Sequence, residues 1–162
     1  MQTLINIIVT LGLLFWASGV MFSPMMLGAP GAANRLGTWW FYIILFLTPV
    51  VIFALYWIFG GQFWGITGDA LTKGFLILFV AAMLFFNVPL SMWNIYKGIS
   101  NDGYSVKSQG VYYKGALIDG ADGNSFTEFS EEQQGFYADN YARDAKYLYY
   151  NNKRVADADP DT

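Results

Sequence analysis

The chain has no histidine and no cysteine among its 162 residues. Their absence removes Ser-His-Asp and Cys-His catalysis, zinc or haem ligation by imidazole or thiolate, disulfides and a lipidated cysteine. Charge is scarce too: 13% of residues carry it, against roughly 25% in a soluble globular domain, while 55% are hydrophobic. Arg35, Asp69, Lys73 and Lys97 are the four charged residues of the first 97, and the other 17 lie in the last 65. Two regions in different solvents are implied. The expected fold class is an α-helical membrane protein, with a three-helix transmembrane domain over 1–97 and a small β-hairpin-rich repeat tail over 98–162.

Three uncharged runs organise the front part, at about residues 4–21, 38–59 and 75–96. A helix of 22 residues is about 33 Å long and covers a hydrocarbon core of roughly 30 Å, satisfying its own backbone in lipid. The first run could instead be a cleaved signal peptide ending near Ala17-Ser18-Gly19, but Met1-Gln2-Thr3 lacks the usual Lys or Arg. Trp39, Trp40, Tyr42, Tyr56, Trp57, Trp93 and Tyr96 fall at run ends, where such rings favour the headgroup level. Ser23-Pro24 and Ala29-Pro30-Gly31 are expected to break the chain after the first run, and Gly60-Gly61 after the second. Short loops then place neighbouring helices antiparallel.

Topology divides the signals. Arg35, Lys97, Lys107 and Lys114 on the tail's side outnumber Lys73 and the N-terminal amine, which puts the tail in the cytoplasm by the positive-inside rule. If Lys107 and Lys114 belong to a folded tail, the count is even. Within the spans the notable residues are neutral. Asn87, Ser91 and Asn94 at i, i+4 and i+7 share one face of the third helix, with Pro89 among them to kink it, and Thr48-Pro49 repeats the theme in the second. This polar seam reads either as interhelical hydrogen bonding or as the lining of a permeation path; no Asp, Glu or Arg stands in it to couple ions. Gly12 and Gly19 offer a small-residue face on the first helix.

The tail is Tyr-rich, with 11 acidic and 6 basic residues. Shifted by 37, it aligns on itself: Tyr104 with Tyr141, Tyr112-Tyr113 with Tyr149-Tyr150, Ala121-Asp122 with Ala158-Asp159, and the similar pairs Val111 with Leu148, Ile118 with Val155 and Ser125 with Thr162. A tandem duplication is implied. Gly110-Val111-Tyr112-Tyr113, Lys114-Gly115 and Ala116-Leu117-Ile118 read as two strands around a tight turn, with Asn151-Asn152 in the turn of the second copy. Asp122 and Asp159 suit turn caps. Adjacent strand residues point to opposite faces, so one of Tyr112 and Tyr113, and one of Tyr149 and Tyr150, should stand outside a small core; these four are the candidate partner-binding residues.

These residues, together with Ile118-Asp119-Gly120-Ala121-Asp122, Ser125-Phe126 and Tyr141-Ala142-Arg143-Asp144-Ala145-Lys146-Tyr147-Leu148-Tyr149-Tyr150, resemble the repeats of the DKNYY family of bacterial proteins. The resemblance covers Tyr104 to the C-terminus and nothing in the three spans. The eponymous pattern appears here as Asp144-Ala145-Lys146-Tyr147 with an extra residue before Tyr149-Tyr150. What it implies is a Tyr-rich repeat module, often in cell-envelope proteins, without an established catalytic activity and with its tail outside the cytoplasm.

Asp157, Asp159 and Asp161 alternate like the start of an EF-hand loop, but the Gly at its sixth position and the closing Glu are missing, so no metal is expected. A net tail charge of minus five repels nucleic acid. No cofactor is expected. The resulting expectation is a non-enzymatic protein of the bacterial inner membrane that anchors a repeat module for a protein partner or a second copy, one version being an immunity protein against a membrane-targeting toxin. The alternative is a small channel or transporter subunit using the Asn87, Ser91 and Asn94 seam.

Overall fold

The computed structural model describes residues 1–129, 140–156 and 158, and divides into two compact units, Met1–Leu90 and Ser91–Thr162. In the first unit, α1 (Gln2–Leu27) and α2 (Leu36–Ile58) are joined through a short 3-10 turn, Ala32–Asn34. A two-stranded hairpin, β1 (Gln62–Phe63) with β2 (Ile66–Thr67), leads into α3 (Gly68–Phe85). Trp64 and Gly65, both at positive φ, form its turn. Thr67 caps α3 by accepting the Ala70 N–H. All three helices are long and apolar enough to cross a membrane.

Contacts at both ends set the helices antiparallel to their neighbours. Near one end, Tyr56 of α2 donates to the Asn6 side chain of α1, 2.9 Å away. Near the other, Tyr42 of α2 donates to the Ser23 carbonyl of α1 and packs against Phe86, just past α3. Gly68 opens α3 against the backbone of α2, where a Cβ would lie 2.2 Å from the Trp57 nitrogen. Of the two α1 glycines, Gly19 faces Leu45 of α2 at 3.7 Å, whereas Gly12 has no neighbour within 4 Å.

One expectation about proline is corrected. Ser23-Pro24 does not end the first helix, which runs on to Leu27. Pro24 has no N–H for the Val20 carbonyl, but the Ser23 hydroxyl donates to it at 2.8 Å, so the helix continues. Pro49 likewise deprives the Leu45 carbonyl inside α2, and the Trp16 indole of α1 donates to it at 2.7 Å. The bond that proline removed within a helix has become a bond between helices.

The third run is not one kinked helix over 75–96. α3 ends at Phe85, and a new helix, α4 (Val88–Tyr96), starts after a break at Phe86 and Asn87. Asn87 takes φ +56°, a conformation Asn tolerates better than most residues and that ends helices. Pro89 then lies in the first turn of α4, where its missing N–H costs nothing. The boundary between the units falls within α4, ahead of Lys97.

The second unit holds two small antiparallel sheets. The first runs β3 (Tyr104–Lys107), β4 (Gly110–Tyr113), β5 (Ala116–Leu117); the second runs β6 (Thr127–Glu128), β7 (Tyr141–Arg143), β8 (Leu148–Tyr150), β9 (Lys153–Arg154).

Replacing Trp16 by Phe should leave the Leu45 carbonyl without its donor and lower the unfolding free energy in detergent by about 1–2 kcal/mol. Gly68→Ala should cost about 3 kcal/mol by forcing α2 and α3 apart, while Gly12→Ala, in open space, should cost nothing measurable. Thermal unfolding of the three variants in one detergent would check the ranking, and equal losses at Gly12 and Gly68 would contradict the packing described.

Candidate functional site

In the tail, residues 37 apart occupy equivalent places. Tyr104 pairs with Tyr113 as Tyr141 pairs with Tyr150, Ser105 with Tyr112 as Ala142 with Tyr149, and Val106 with Val111 as Arg143 with Leu148. The third strands repeat this, since Tyr112 pairs with Leu117 as Tyr149 pairs with Arg154. Turns match too: Lys114 and Asn151 both take positive φ, and their N–H groups donate to the Gly103 and Asn140 carbonyls. A residue with φ above zero starts each tight turn because it matches the twist of the strands it joins.

The faces used are not equivalent. The first repeat buries Tyr104, Val111, Tyr113 and Ile118; the second buries Ala142 and Tyr149, which lie on the opposite face of its hairpin. The front of one repeat is thus packed on the back of the next. Phe126, from the connection between them, lies between both, with its ring 5.3 Å from Tyr104 and 5.8 Å from Tyr149. The Tyr104 hydroxyl sits 2.9 Å from the Asn140 carbonyl and 2.8 Å from that of Asn151, and Tyr113 donates to the Asn140 side chain at 2.9 Å. Each front tyrosine therefore ends on the rim of the following repeat.

Asp144, only 4% exposed, joins the repeats electrostatically. One carboxylate oxygen accepts the Lys146 and Tyr147 N–H groups, each at 2.8 Å; the other accepts the Tyr149 hydroxyl at 2.7 Å and the Asp122 N–H of the first repeat at 3.0 Å. Burial pushes this carboxyl up, but the four donors outweigh it and hold it below the ordinary value of 3.8. Burial, and then the Asp144 carboxylate, push the Tyr149 phenol up to about 12. Arg154 closes the opposite rim, with its guanidinium 3.9 Å from the Tyr147 ring centre. Nothing in the repeat alignment marks Asp144, whose counterpart is Lys107; the signal that could have found it is an Asp at a strand turn with a Tyr five residues on.

Of the four candidate docking tyrosines, Tyr113 and Tyr149 lie in the core, where their rings are covered, while Tyr112 is half-buried and Tyr150 is 44% exposed. Tyr141, missed as a candidate, packs on Tyr150 at 4.7 Å between ring centres, the same separation as the buried Tyr104 and Tyr113. The seam residues do not form one face. Asn87 is exposed at the helix break, and Ser91 and Asn94 are buried in α4. Both face the loop after that helix: the Asn101 side chain donates to the Ser91 carbonyl and accepts from Asn94, each at 3.0 Å. Asp122 caps its own turn, accepting the Asn124 N–H and the Ser125 hydroxyl. Asp157, Asp159 and Asp161 lie outside the described residues; among those described, no cluster of acidic side chains could hold a metal.

Both shifts predict pH limits for the tail. Asp144 has its folded value lowered, so its stabilisation is complete above pH 3.8 and disappears as pH falls through the folded value. Tyr149 has its folded value raised, so its contribution is complete below pH 10 and disappears as pH rises toward 12. Asp144→Asn and Tyr149→Phe should each lower stability at neutral pH by about 1–3 kcal/mol. The first should also flatten the acid loss and the second reduce the alkaline one, measured as melting temperature against pH; unchanged pH profiles would show that this pair does not control them.

No curated protein and no solved structure matches the chain. A family model does, over the residues that form the two repeats and their connection. Residues 104–162 are a DKNYY family domain, carried behind three long apolar helices.

Proposed function

We propose that the chain is a non-catalytic, multi-pass protein of the bacterial cytoplasmic membrane that presents its DKNYY domain outside the cytoplasm to a protein partner. Membrane insertion is supported by the bare helices: Phe15 is 82% exposed and Phe85 84%, with Leu4, Leu11, Leu14, Ile58, Ile77 and Leu84 also open. So much contiguous apolar surface needs lipid to cover it. At about 39, 35 and 27 Å, α1, α2 and α3 suit a hydrocarbon core of roughly 30 Å.

The observation that carries the docking role is the partly exposed strand face of the second repeat, where Tyr141, Leu148 and Tyr150 duplicate residues buried in the first. Tyrosine suits such a surface, because its ring buries apolar area while its hydroxyl keeps a hydrogen bond. The tail's net charge of minus five favours a neutral or basic protein over nucleic acid or anionic lipid. An immunity protein, guarding the membrane against a pore-forming toxin, is one form this role could take. A conducting seam has less support, since the Asn94 side chain and the Ser91 backbone carbonyl are engaged by Asn101 and Asn87 stands apart.

An alkaline phosphatase fused after Thr162 should be active, and fluorescence from a green fluorescent protein fused there would instead put the tail in the cytoplasm. Crosslinking in native membranes followed by mass spectrometry should recover a partner with the intact chain and lose it when the chain is truncated after Lys97. Recovery of the same partners by both would move the activity to the helices.

A further inference from the structure

The contact between the two repeats is heterologous: the front of the first lies on the back of the second. Among the described residues, such a contact leaves one front and one back not covered by the other repeat. That front, on the second repeat, holds Tyr141, Leu148 and Tyr150, which stand 37 residues beyond the buried Tyr104, Val111 and Tyr113. The back of the first repeat holds Ser105, whose hydroxyl accepts the Ser100 N–H, and the half-buried Tyr112; they stand 37 residues before the buried Ala142 and Tyr149. Across the two halves, three of the five positions are the same tyrosine, and the other two exchange Val for Leu and Ala for Ser. The tyrosines of both halves are therefore present a second time and partly exposed, while Asp144 and Asn140, which also hold the internal contact, are replaced by Lys107 and Gly103 at the equivalent places.

We propose that the open front of the second repeat takes the open back of the first repeat of another copy of this chain, so that the tails associate in a head-to-tail row. This rests on reading that face as a docking surface, and it names the occupant. A heterologous contact repeated in one direction gives an open row or a ring, not a two-fold dimer. The internal contact also dictates the bonds between copies. The Tyr104 hydroxyl lies within hydrogen-bond reach of the Asn140 and Asn151 carbonyls, which share its one proton. Tyr141 of one copy accordingly reaches the Gly103 and Lys114 carbonyls of the next. Three bonds have no counterpart. Lys107 and Leu117 stand at the places where Asp144 accepts the Asp122 N–H and Arg154 donates to the Asp119 carbonyl. Tyr113 donates to the Asn140 side chain, and the position equivalent to Asn140 is Gly103, so Tyr150 finds no acceptor there. Contact between copies is weaker than the internal one by those three bonds, which keeps it reversible.

Gly103 also supplies the sharpest test. Its φ is not positive, and an added Cβ would meet only the Ser100 hydroxyl, at 3.9 Å, so Asn fits there. In sedimentation equilibrium of the full chain in detergent, mass should rise with concentration. Gly103→Asn should tighten association about fivefold, the worth of one neutral hydrogen bond, and Tyr150→Asp, altering an exposed side chain, should hold the chain at monomer mass with an unchanged melting temperature. A photo-crosslinking benzoylphenylalanine in place of Tyr141, with heavy and light copies mixed, should join position 141 of one copy to the peptide carrying Gly103 or Lys114 of another. Crosslinks from 141 to the 141–150 peptide would mean that two fronts meet, and would overturn the row. Monomer mass at every concentration, or a Gly103→Asn variant no tighter than the parent, would overturn it too. If Tyr150→Asp abolished capture of a different protein while leaving mass unchanged, the face would remain a docking surface and only its occupant would be wrong.

Discussion

A backbone carbonyl shut away from water must find a donor, and this chain turns that requirement into its tertiary contacts. Proline at 24 and at 49 removes the donor that a helix would supply to Val20 and Leu45. One vacancy is filled locally by Ser23, whose own carbonyl then receives the Tyr42 hydroxyl from α2. The other is filled by Trp16 from the neighbouring helix. In the proposed membrane setting, apolar helices gain little from hydrophobic burial against one another, so bonds of this kind and close approach at glycine decide which faces meet. The same rule operates in the tail, where strands of two to four residues leave turns whose N–H groups need an acceptor. Asp144 accepts two of them from its own turn and one from the preceding repeat.

Short hairpins also explain why the repeats stack. Sheets of three and four such short strands cannot bury apolar surface on their own. Front-to-back packing covers Tyr149 on a back and Tyr104 and Tyr113 on a front with one interface, and Phe126 fills the space that the connection crosses. The gain is one core from two units, as in longer repeat arrays.

Much of this was legible in the sequence. Two of the three uncharged runs became single long helices, the third divided at Phe86 and Asn87, and the 37-residue shift became an identical strand register. What failed was local. The sequence pattern shows that Pro24 lacks an N–H, but not that Ser23 restores a donor to Val20, so the helix end was placed too early. Asn87 two residues before Pro89 is a helix-stop signal in retrospect, yet the apolar run continued through it and hid the break. Alternation required that one tyrosine of each pair face inward. Which one it was depended on tertiary packing, since equivalent residues of the two repeats sit on opposite sides of the core: Tyr113 is buried while Tyr150 is open, and Tyr112 is half-buried while Tyr149 is enclosed.

That exchange of roles explains why tyrosine, and not simply an aromatic ring, stands at these positions in both repeats. A phenylalanine at 104 would fill the same volume but could slide, because ring contacts are broad and weakly directional. The hydroxyl must reach the carbonyls of Asn140 and Asn151, which sit at the start and the turn of the next hairpin, so it fixes how far one repeat is shifted and rotated against the other. Tyr149 does the equivalent on the back, where its hydroxyl ends on Asp144 and through it on the Asp122 N–H of the preceding repeat. Ring area supplies the cohesion between repeats, and three hydroxyls, on Tyr104, Tyr113 and Tyr149, supply the register that a core of so few residues could not otherwise hold.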